Sequence, residues 1–392
     1  MIPRVVFYTR TSFLDPALSL VRELGRKCEL HLFVEVTPRG WSNALFDLPQ
    51  RPVQGLFPAE TLLRGAFPAG VRKYWSEAAS FQFVIHDQES PLNLRTFMFS
   101  NQVARAISGL DPQIIHVDDI SPRFVMGFPS LRTVPIVLNV HDPKPHHGEE
   151  AFHVSLTRWM IKPRVRKYIL FNHSMQAGFC AASSIPSAQV ACTHLGIYDI
   201  YREWTQPGRR DQPFDVLFFG RLSPYKGLEI LLDALTIASR RVPNLRALIA
   251  GRPIPGYHLP PLPQLSYGGV IQVLDHYIGN HELADLFQRA RLVVCPYLDA
   301  TQSGVILTAY AFDKPVIASD VGGLAEYISG QTGALVPPGD AGVLAEKISA
   351  LLNDPSALPG FTTGIEAARR GFLAWESTAN DILSAYQQVL DH

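Results

Sequence analysis

Two basic residues flank a short turn after a predicted strand in "DVLFFGRLSPYKGLEILLDAL", residues 215–235. The strand ends at Gly220, Arg221 and Lys226 lie on either side of a Ser-Pro turn, and a helix begins near Gly227. This arrangement favours binding of a diphosphate, because both the side-chain charges and the N–H groups of a helix start attract an anion. The alternative is that both side chains are solvated loop charges.

A second polar helix start lies in "TQSGVILTAYAFDKPVIASDVGG", residues 301–323. Most of this helix is apolar, so it is predicted to be buried, yet its first turn is polar and has no acidic residue. Gly304 would let a phosphate approach the backbone closely. Gln302 could order a polar ligand, because an amide side chain both donates and accepts hydrogen bonds. The alternative is that Gln302 only faces water.

Histidines and paired aspartates follow two further predicted strands. His141 comes directly after "PIVLNV", and "HDPKPHHGE" adds His146 and His147, which together could be a metal cluster or a polar loop. The Asp118-Asp119 pair after "IIHV" resembles a metal-binding pair in type, with an acceptor contact or a helix cap as alternatives. Two cations are already predicted at the phosphates, so we expect no metal at either place.

The elements that position these residues alternate along the chain. Short β-branched runs and amphipathic helices follow one another, which is typical of an α/β protein with parallel sheets covered by helices on both faces. Ligands of such doubly wound sheets bind at the carboxyl ends of the strands. The predicted strands are 4–8, 29–36, 113–117, 135–140 and 167–171 in the first half, and 215–220, 245–251, 271–274, 292–297 and 315–319 in the second.

The chain is 392 residues long, which favours two domains over one core. The polar, Pro/Gly-containing stretch at 200–213 is the predicted linker, so that the domains are 1–205 and 206–370. Residues 41–95 are rich in Pro, Trp and Phe and show no clear periodicity. We interpret them as irregular structure at the cleft, with an undetected helix as the alternative.

The composition limits the class of protein. Lys plus Arg and Asp plus Glu are both 35, with a slight basic excess in the first half, which gives no reason to expect nucleic acid. The four cysteines are scattered and no apolar run reaches a membrane span, so a cytoplasmic protein with free thiols is predicted. The mild charge asymmetry leaves open a peripheral contact of the first domain with the inner face of a membrane.

Several motifs together resemble a known family. "FFGRLSPYKGLEILLDAL", "HELADLFQRARLVVCPY" and "KPVIASDVGGLAEYISGQTGALVPPGD" are similar to the nucleotide-sugar domain of retaining family-4 glycosyltransferases with the GT-B fold. The resemblance covers most of 214–352 and continues with "PQIIHVDD", "VLNVHDPKPHHGE" and "ACTHLGIYDIY" in the first half. It implies two Rossmann-like domains facing a cleft, and a C-terminal helix, 371–392, that crosses back to the first domain.

The resemblance also implies roles for single residues. Arg221 and Lys226 would neutralise the donor diphosphate, so that no metal or other cofactor is needed, and His141 would contact the donor sugar. The other implied contacts are the amides of Ser303, Gly304, Val305 and Ile306 to the distal phosphate, Thr301, Gln302 and Thr308 to the sugar or ribose, and Gly251, Arg252, His276, Tyr277 and Ile278 near the nucleobase.

Two departures from the family pattern concern the ligand contacts. The loop after the first strand is normally Gly-rich, but here it is "TRTSFLDPALSL", where the hydroxyls of Thr11 or Ser12 would substitute. The family's Glu-x7-Glu pair falls on Ala300 and Thr308, neither of which is acidic. This indicates a variant branch in which amides and neutral side chains replace the carboxylates.

The implied function is metal-independent transfer of a sugar, with retention, from a nucleoside diphosphate sugar to a hydroxyl of a glycan, a glycolipid or a small molecule. The alternatives are a nucleotide-sugar epimerase or hydrolase on the same fold, and a catalytically silent binding subunit. The sequence does not specify the nucleotide, the sugar, the acceptor or the oligomeric state.

Overall fold

The structure, a computed structural model, describes residues 2–41, 45, 53–63, 67–143, 152–206, 213–354 and 356–391. The strands are β1 Arg4–Arg10, β2 Glu29–Val36, β3 Gly55–Pro58, β4 Ser80–Ile85, β5 Ile114–Asp118, β6 Ile136–Val140, β7 Val165–Leu170, β8 Val190–Cys192, β9 Phe214–Phe219, β10 Arg246–Ala250, β11 Val270–Leu274, β12 Ala290–Cys295, β13 Val316–Ser319 and β14 Gly333–Val336. The helices are α1 Leu14–Gly25, α2 Pro38–Trp41, α3 Ala59–Leu62, α4 Leu94–Gly109, α5 Pro122–Met126, α6 Phe152–Ile161, α7 Gln176–Ser183, α8 Leu228–Ala238, α9 Asn280–Arg289, α10 Gly304–Ala311, α11 Ala341–Asn353, α12 Ala357–Arg370 and α13 Trp375–Leu390.

These strands form two sheets. The first has the order β3-β4-β2-β1-β5-β6-β7-β8 and is parallel except for the antiparallel β3–β4 pair, and the second is parallel with the order β11-β10-β9-β12-β13-β14. The strand order reverses between β1 and β5 and between β9 and β12. Crevices open at such reversals, at the carboxyl ends of the strands, and this is where ligands of doubly wound sheets bind. The predicted α/β class with two doubly wound sheets is confirmed.

The central strands are buried on both faces, as is expected of parallel strands covered by helices. Val5, Val6 and Phe7 of β1 and Val216 and Leu217 of β9 have no exposed surface. Helix α10 is also buried, with Ile306 to Ala311 all inside. This explains its apolar sequence and fixes its first turn at the carboxyl end of β12.

The interpretation of 41–95 as irregular is wrong for part of that region. It contains β3 and β4, and β4 pairs along β2 from His31↔Ser80 to Val36↔Ile85. Phe83 and Val84 of β4 are fully buried. The strand was missed because its pattern, "SFQFVI", is too short to be assigned without its partner. Residues 42–44, 46–52 and 64–66 lie outside the described residues.

The last helix packs on the first half of the chain. Trp375 Nε1 donates to the carbonyl of Ile197 at 2.8 Å, and Thr193 Oγ1 donates to Asp381 at 2.6 Å. The hydroxyl of Tyr386 is 2.6 Å from Nδ1 of His116 on β5. Helix α13 therefore follows the second sheet in sequence but is held by the first. In the part of the chain that the structure describes, no helix is both long and apolar enough to cross a membrane.

Candidate active site

The turn after β9 holds Lys226 close to the neighbouring strand end. Gly220 and Gly227 both have positive φ, +116° and +67°, and the latter caps α8. The ammonium of Lys226 lies 3.7 Å from the ring centroid of Tyr297, directly after β12. Such a contact favours the cation electrostatically. The carboxyl ends of β9 and β12, between which the strand order of the second sheet reverses, therefore both lie next to the positive charge of Lys226.

Gly227 is needed for this turn to form. A Cβ at this position would lie 2.0 Å from the carbonyl oxygen of Pro296, in a left-handed backbone conformation. We expect Gly227→Ala to destabilise the protein by at least about 1–2 kcal/mol, the cost of that conformation for a residue with a side chain. Urea unfolding measures this. The control is Gly178→Ala in α7, where a Cβ would meet nothing within 4 Å; equal midpoints for the two variants would contradict the expectation.

The start of α10 lies beside the turn that carries Lys226. The hydroxyl of Tyr297 is 3.4 Å from Oγ of Ser303, the N-cap residue of α10. A Cβ on Gly220 would lie 3.5 Å from the side chain of Val305 in the first turn. The structure thus brings together the two polar helix starts that the sequence places about 80 residues apart.

Gln302 presents a buried acceptor beside this helix start. Its Oε1 atom is buried and finds no hydrogen-bond partner among the described residues. A buried acceptor without a partner costs roughly 1–3 kcal/mol. A ligand hydroxyl that donates to Oε1 would remove this cost, so Gln302 is suited to bind a polyhydroxylated ligand.

Four of the predicted contacts in this turn need correction. The amide of Ile306 donates to the carbonyl of Ser303, and the hydroxyl of Thr308 donates to the carbonyl of Gly304, so neither hydrogen remains for a ligand. The hydroxyl of Thr301 donates across the cleft to Asp142 at 2.6 Å. A Cβ on Gly304 would first meet the ring of Tyr198 at 3.1 Å. Packing against the segment that joins the two sheets therefore accounts for the glycine at 304.

The segments predicted to lie near a nucleobase follow two neighbouring strands, β10 and β11. Gly251 has a φ of +147°, and a Cβ there would lie 1.8 Å from the carbonyl oxygen of Gly220. Arg252 is exposed and its carbonyl accepts from Leu222. His276 pairs with Glu282 at 3.2 Å, Tyr277 is exposed and Ile278 is buried. Of these three, only Tyr277 presents a large exposed ring.

His141 lies on the other side of the cleft, buried at the end of β6. Its ring stacks on Phe13 at 4.1 Å between centroids and lies 5.0 Å from Phe171. Its Nε2 atom is 2.7 Å from Oδ1 of Asp118 at the end of β5. With only 2% of the residue exposed, the structure does not present His141 openly to the cleft, and a ligand would have to contact the edge of the ring.

The charge of His141 is set by Asp118. Burial alone would lower the pKa of His141, but the adjacent Asp118 carboxylate, together with Asp119 and Asp142, outweighs it and the pKa is raised. Burial likewise opposes ionisation of Asp118, yet His141 holds the pKa of that carboxyl below its usual range. The contact between the two side chains therefore favours the protonated form of His141 and the ionised form of Asp118.

Asp118 is also held by neighbours on both sides. Thr9 Oγ1 donates to its Oδ2 at 2.9 Å, and Asn139 Nδ2 donates to its Oδ1 at 2.8 Å. The expected roles of the aspartate pair, an acceptor contact or a helix cap, need correction, because Asp118 is buried and Ser121 caps α5. Asp119 instead forms ion pairs with Arg10 at 3.4 Å and Arg158 at 3.6 Å.

The loop after β1 contributes less polar surface than expected. Thr11 is buried, and a Cβ added at Gly40 would lie only 2.4 Å from its Oγ1 atom. The hydroxyl is therefore packed against Gly40. Ser12 is exposed. Phe13, which contacts His141, and Asp142, which contacts Thr301, were not predicted. Their position next to strand ends was the sequence signal that could have indicated them. His146 and His147, as well as 207–212 of the predicted linker, lie outside the described residues.

The residues that form the second sheet are similar to a known protein family. Residues 213–354 match the family described as Glycosyl transferases group 1. The similarity to this family is thus confined to about a third of the chain. The match covers the turn with Arg221 and Lys226, the start of α10 and all of β9 to β14, so the resemblance predicted from the motifs is confirmed.

Relatives and solved structures extend this result. The chain is 31% identical over 183 residues to a D-inositol 3-phosphate glycosyltransferase of Arthrobacter sp. (strain FB24), and 29% identical over 222 residues to one of Mycolicibacterium paratuberculosis. These matches cover 45% and 52% of this chain but only 43% and 48% of the relatives.

The solved structures resemble the whole chain. Anabaena Alr3699/HepE in complex with UDP and glucose has a TM-score of 0.68 at 17% identity, with 98% of this chain and 100% of that one covered. A glycosyltransferase from Rickettsia africae has a TM-score of 0.65 at 13% identity, with 100% and 99% covered. At these identities the likeness concerns the fold alone. The group 1 domain thus belongs to a GT-B fold, as predicted.

Proposed function

We propose that this chain transfers a sugar from a nucleoside diphosphate sugar to an acceptor hydroxyl, with retention of configuration and without a metal ion. The observation that carries the proposal is the hydrogen bond from Thr301 to Asp142 at 2.6 Å. It joins the segment just before α10 to Asp142, the residue after His141. A donor held at the start of α10 would therefore have its sugar close to the first sheet.

The phosphate side of the proposal depends on charge. Lys226 and Arg221 lie on the turn between β9 and α8, beside the N-terminus of α10. Two fixed cations can stabilise the charge that develops on a departing diphosphate without a metal. Anabaena Alr3699/HepE, which shares the fold, has been solved with UDP-glucose. We therefore propose a UDP-sugar as the first donor to test.

The proposal of retention rests on the hydrogen bonding of Asp118 and the protonation of His141. Asp118 already accepts hydrogen bonds from three side chains, and the raised pKa of His141 favours its protonated form. Neither is suited to act as nucleophile or as base. In the proposed reaction the bond from the anomeric carbon to the diphosphate breaks, the acceptor oxygen bonds to the same face, and its proton passes to the departing diphosphate.

The proposed reaction takes place in a reducing compartment, the cytoplasm. Cys28, Cys180, Cys192 and Cys295 are all free, and burial raises the pKa of Cys28 to about 12. Unpaired, unreactive thiols are typical of such a compartment.

The direct test is a transfer assay. Purified protein is incubated with UDP-glucose and other nucleotide sugars, with D-inositol 3-phosphate as the first acceptor because two relatives are named for it. We expect a glycosylated product with the anomeric configuration of the donor, formed equally with and without EDTA. A rearranged sugar in the absence of any acceptor would replace this proposal with an epimerase, and an inverted product would overturn retention.

Gln302 tests whether the start of α10 contacts the sugar. We expect Gln302→Ala to lower kcat/KM by roughly 1–2 kcal/mol, because the variant loses a hydrogen bond to a sugar hydroxyl. Titration should show weaker binding of intact UDP-sugar but unchanged binding of UDP. Gln331→Ala, at an exposed position, is the matched control. An equal loss for both ligands, or none for either, would mean that Gln302 does not contact the sugar.

A further inference from the structure

A second polar cluster lies where the two sheets meet, away from the turns assigned to the donor. The segments after β7 and β8 contact the loop after β13. Tyr327 of that loop donates its hydroxyl hydrogen to the carbonyl of Phe171 and accepts from the amide of Leu195 at 3.1 Å. We call this contact region the seam. It contains His173 and His194 from the first half and Glu326 from the second.

Glu326 is fixed and ionised at the seam. Its carboxylate accepts from the amides of His173 at 2.8 Å and Ser174 at 2.7 Å. Burial opposes its ionisation, but these hydrogen bonds outweigh it and lower the pKa of Glu326 to about 2. A carboxylate held in this way is oriented before any ligand arrives.

Two imidazoles converge on the same carboxylate oxygen. Nδ1 of His173 is 3.3 Å and Nε2 of His194 is 3.2 Å from Oε2 of Glu326. These three ligand atoms all lie within 4.8 Å of one another. The His194 ring is held edge-on by Tyr327 and Phe372, both at 5.5 Å between centroids. The side chain of His173 is 57% exposed, so its ring is less confined by packing than that of His194, whose side chain is 20% exposed.

We propose that His173, His194 and Glu326 bind a divalent transition metal ion of the Zn²⁺ type at the seam. Zinc bonds to nitrogen and oxygen are about 2.0–2.2 Å long, which places tetrahedral ligand atoms about 3.4 Å apart. The two measured nitrogen–oxygen distances already match this separation. To bind the ion, only the two ring nitrogens have to move closer to each other, and the ring of His173 can make that movement. Two imidazoles and one carboxylate leave a fourth position for water.

Burial supports the ligand role of His194. Its side chain is only 20% exposed and lies between Tyr327 and Phe372, which keep its Nε2 atom at the seam. A neutral imidazole offers the lone pair that a metal ion needs. The ion would join the first half to the second, because two ligands follow β7 and β8 and the third follows β13. Its binding would therefore stabilise the arrangement of the two sheets described above.

The test measures Zn²⁺ binding to the full chain after treatment with a chelator. We expect calorimetry to show one ion per chain at this site, and Zn²⁺ to raise the melting temperature. His194→Phe keeps a ring between Tyr327 and Phe372 but removes the ligand, and Glu326→Gln keeps an oxygen acceptor for the two amides. Each variant should bind Zn²⁺ at least about 10-fold more weakly. Co²⁺ should give the visible spectrum of a four-coordinate site, which both variants lose.

The matched control is His276→Ala. His276 also pairs with a glutamate, Glu282, at 3.2 Å, but in an exposed pair to which the described part of the chain adds no third ligand. Its loss should leave the affinity for Zn²⁺ unchanged. Equal Zn²⁺ affinity of the wild type and His194→Phe would overturn the proposal. A loss in His276→Ala as large as that in His194→Phe would also overturn it, because binding would then be non-specific.

Discussion

Replacing His141 with alanine is expected to lower kcat about 100-fold or more, while UDP affinity stays within a few-fold. The reason is that, in the proposed reaction, the edge of the His141 ring contacts the donor sugar and not the nucleotide. It is held between Phe13 and Phe171 and is oriented by the bond to Asp118 at 2.7 Å. Steady-state kinetics and UDP titration on the same preparation separate the two effects.

The control for this variant is His31→Gln. His31 is another buried histidine of the first sheet, bonded to Ser80 at 2.8 Å and remote in sequence from the cleft loops. It is expected to keep the wild-type kcat. A His141→Ala variant that folds, binds UDP and turns over within about 3-fold of the wild type would show that His141 does not act on the sugar.

The pH dependence tests the state of His141 independently. Its folded pKa is raised, so the imidazolium is present below that pKa and is lost as the pH rises through it. The activity should therefore fall on the alkaline side of the usual histidine range. Burial opposes this shift, whereas Asp118, Asp119 and Asp142 raise the pKa of His141, so loss of the Asp118 carboxylate should lower that pKa. In Asp118→Asn the fall should move to a lower pH; an unchanged profile would mean that another group titrates.

The double variant Arg221→Ala/Lys226→Ala is expected to weaken UDP binding by about 3–6 kcal/mol, if two charge-assisted losses of about 1.5–3 kcal/mol add. The physical reason is that, in the proposed site, both cations bind the diphosphate from a turn that Gly220 and Gly227 shape by their positive φ. Isothermal titration of each single variant and of the double variant measures the two contributions.

Arg240→Ala/Arg241→Ala is the matched control for charge. Both arginines lie just beyond the C-terminal end of α8, at the opposite end of that helix from Lys226, and are exposed. The net charge changes equally in the two double variants, so a general electrostatic effect would weaken UDP binding in both. Equal UDP affinities of the two double variants would mean that the diphosphate binds elsewhere.

The sequence predicted the second sheet better than the first. The strand-to-helix turns at Gly220–Gly227 and 301–304 carry their own signals, because glycines and polar helix starts are set by local backbone geometry. Their order along the chain placed both at carboxyl ends of strands. In the first half, β4 has no comparable local signal and was found only through its pairing with β2.

The site shows the same division. Arg221, Lys226 and Gln302 could be proposed from residue type and position alone. The sequence could not predict that the hydroxyl of Thr308 donates to Gly304 or that the hydroxyl of Thr301 donates to Asp142. A hydroxyl can bond to any oxygen within reach, so its partner depends on the final packing. The same holds for Asp118, whose three donors come from β1, β6 and the residue after β6.

The sequence by itself determined the class of fold, the two polar helix starts and the neutral character of residues 300–308. These properties belong to single segments and follow from local conformation and side-chain chemistry. The tertiary structure decided which segments meet: Lys226 with Tyr297, His141 with Asp118, and His173 and His194 with Glu326. The partners in these pairs lie from 23 to 153 residues apart. Only the folding of both sheets brings them together, because no local interaction along the chain can specify a contact at that separation.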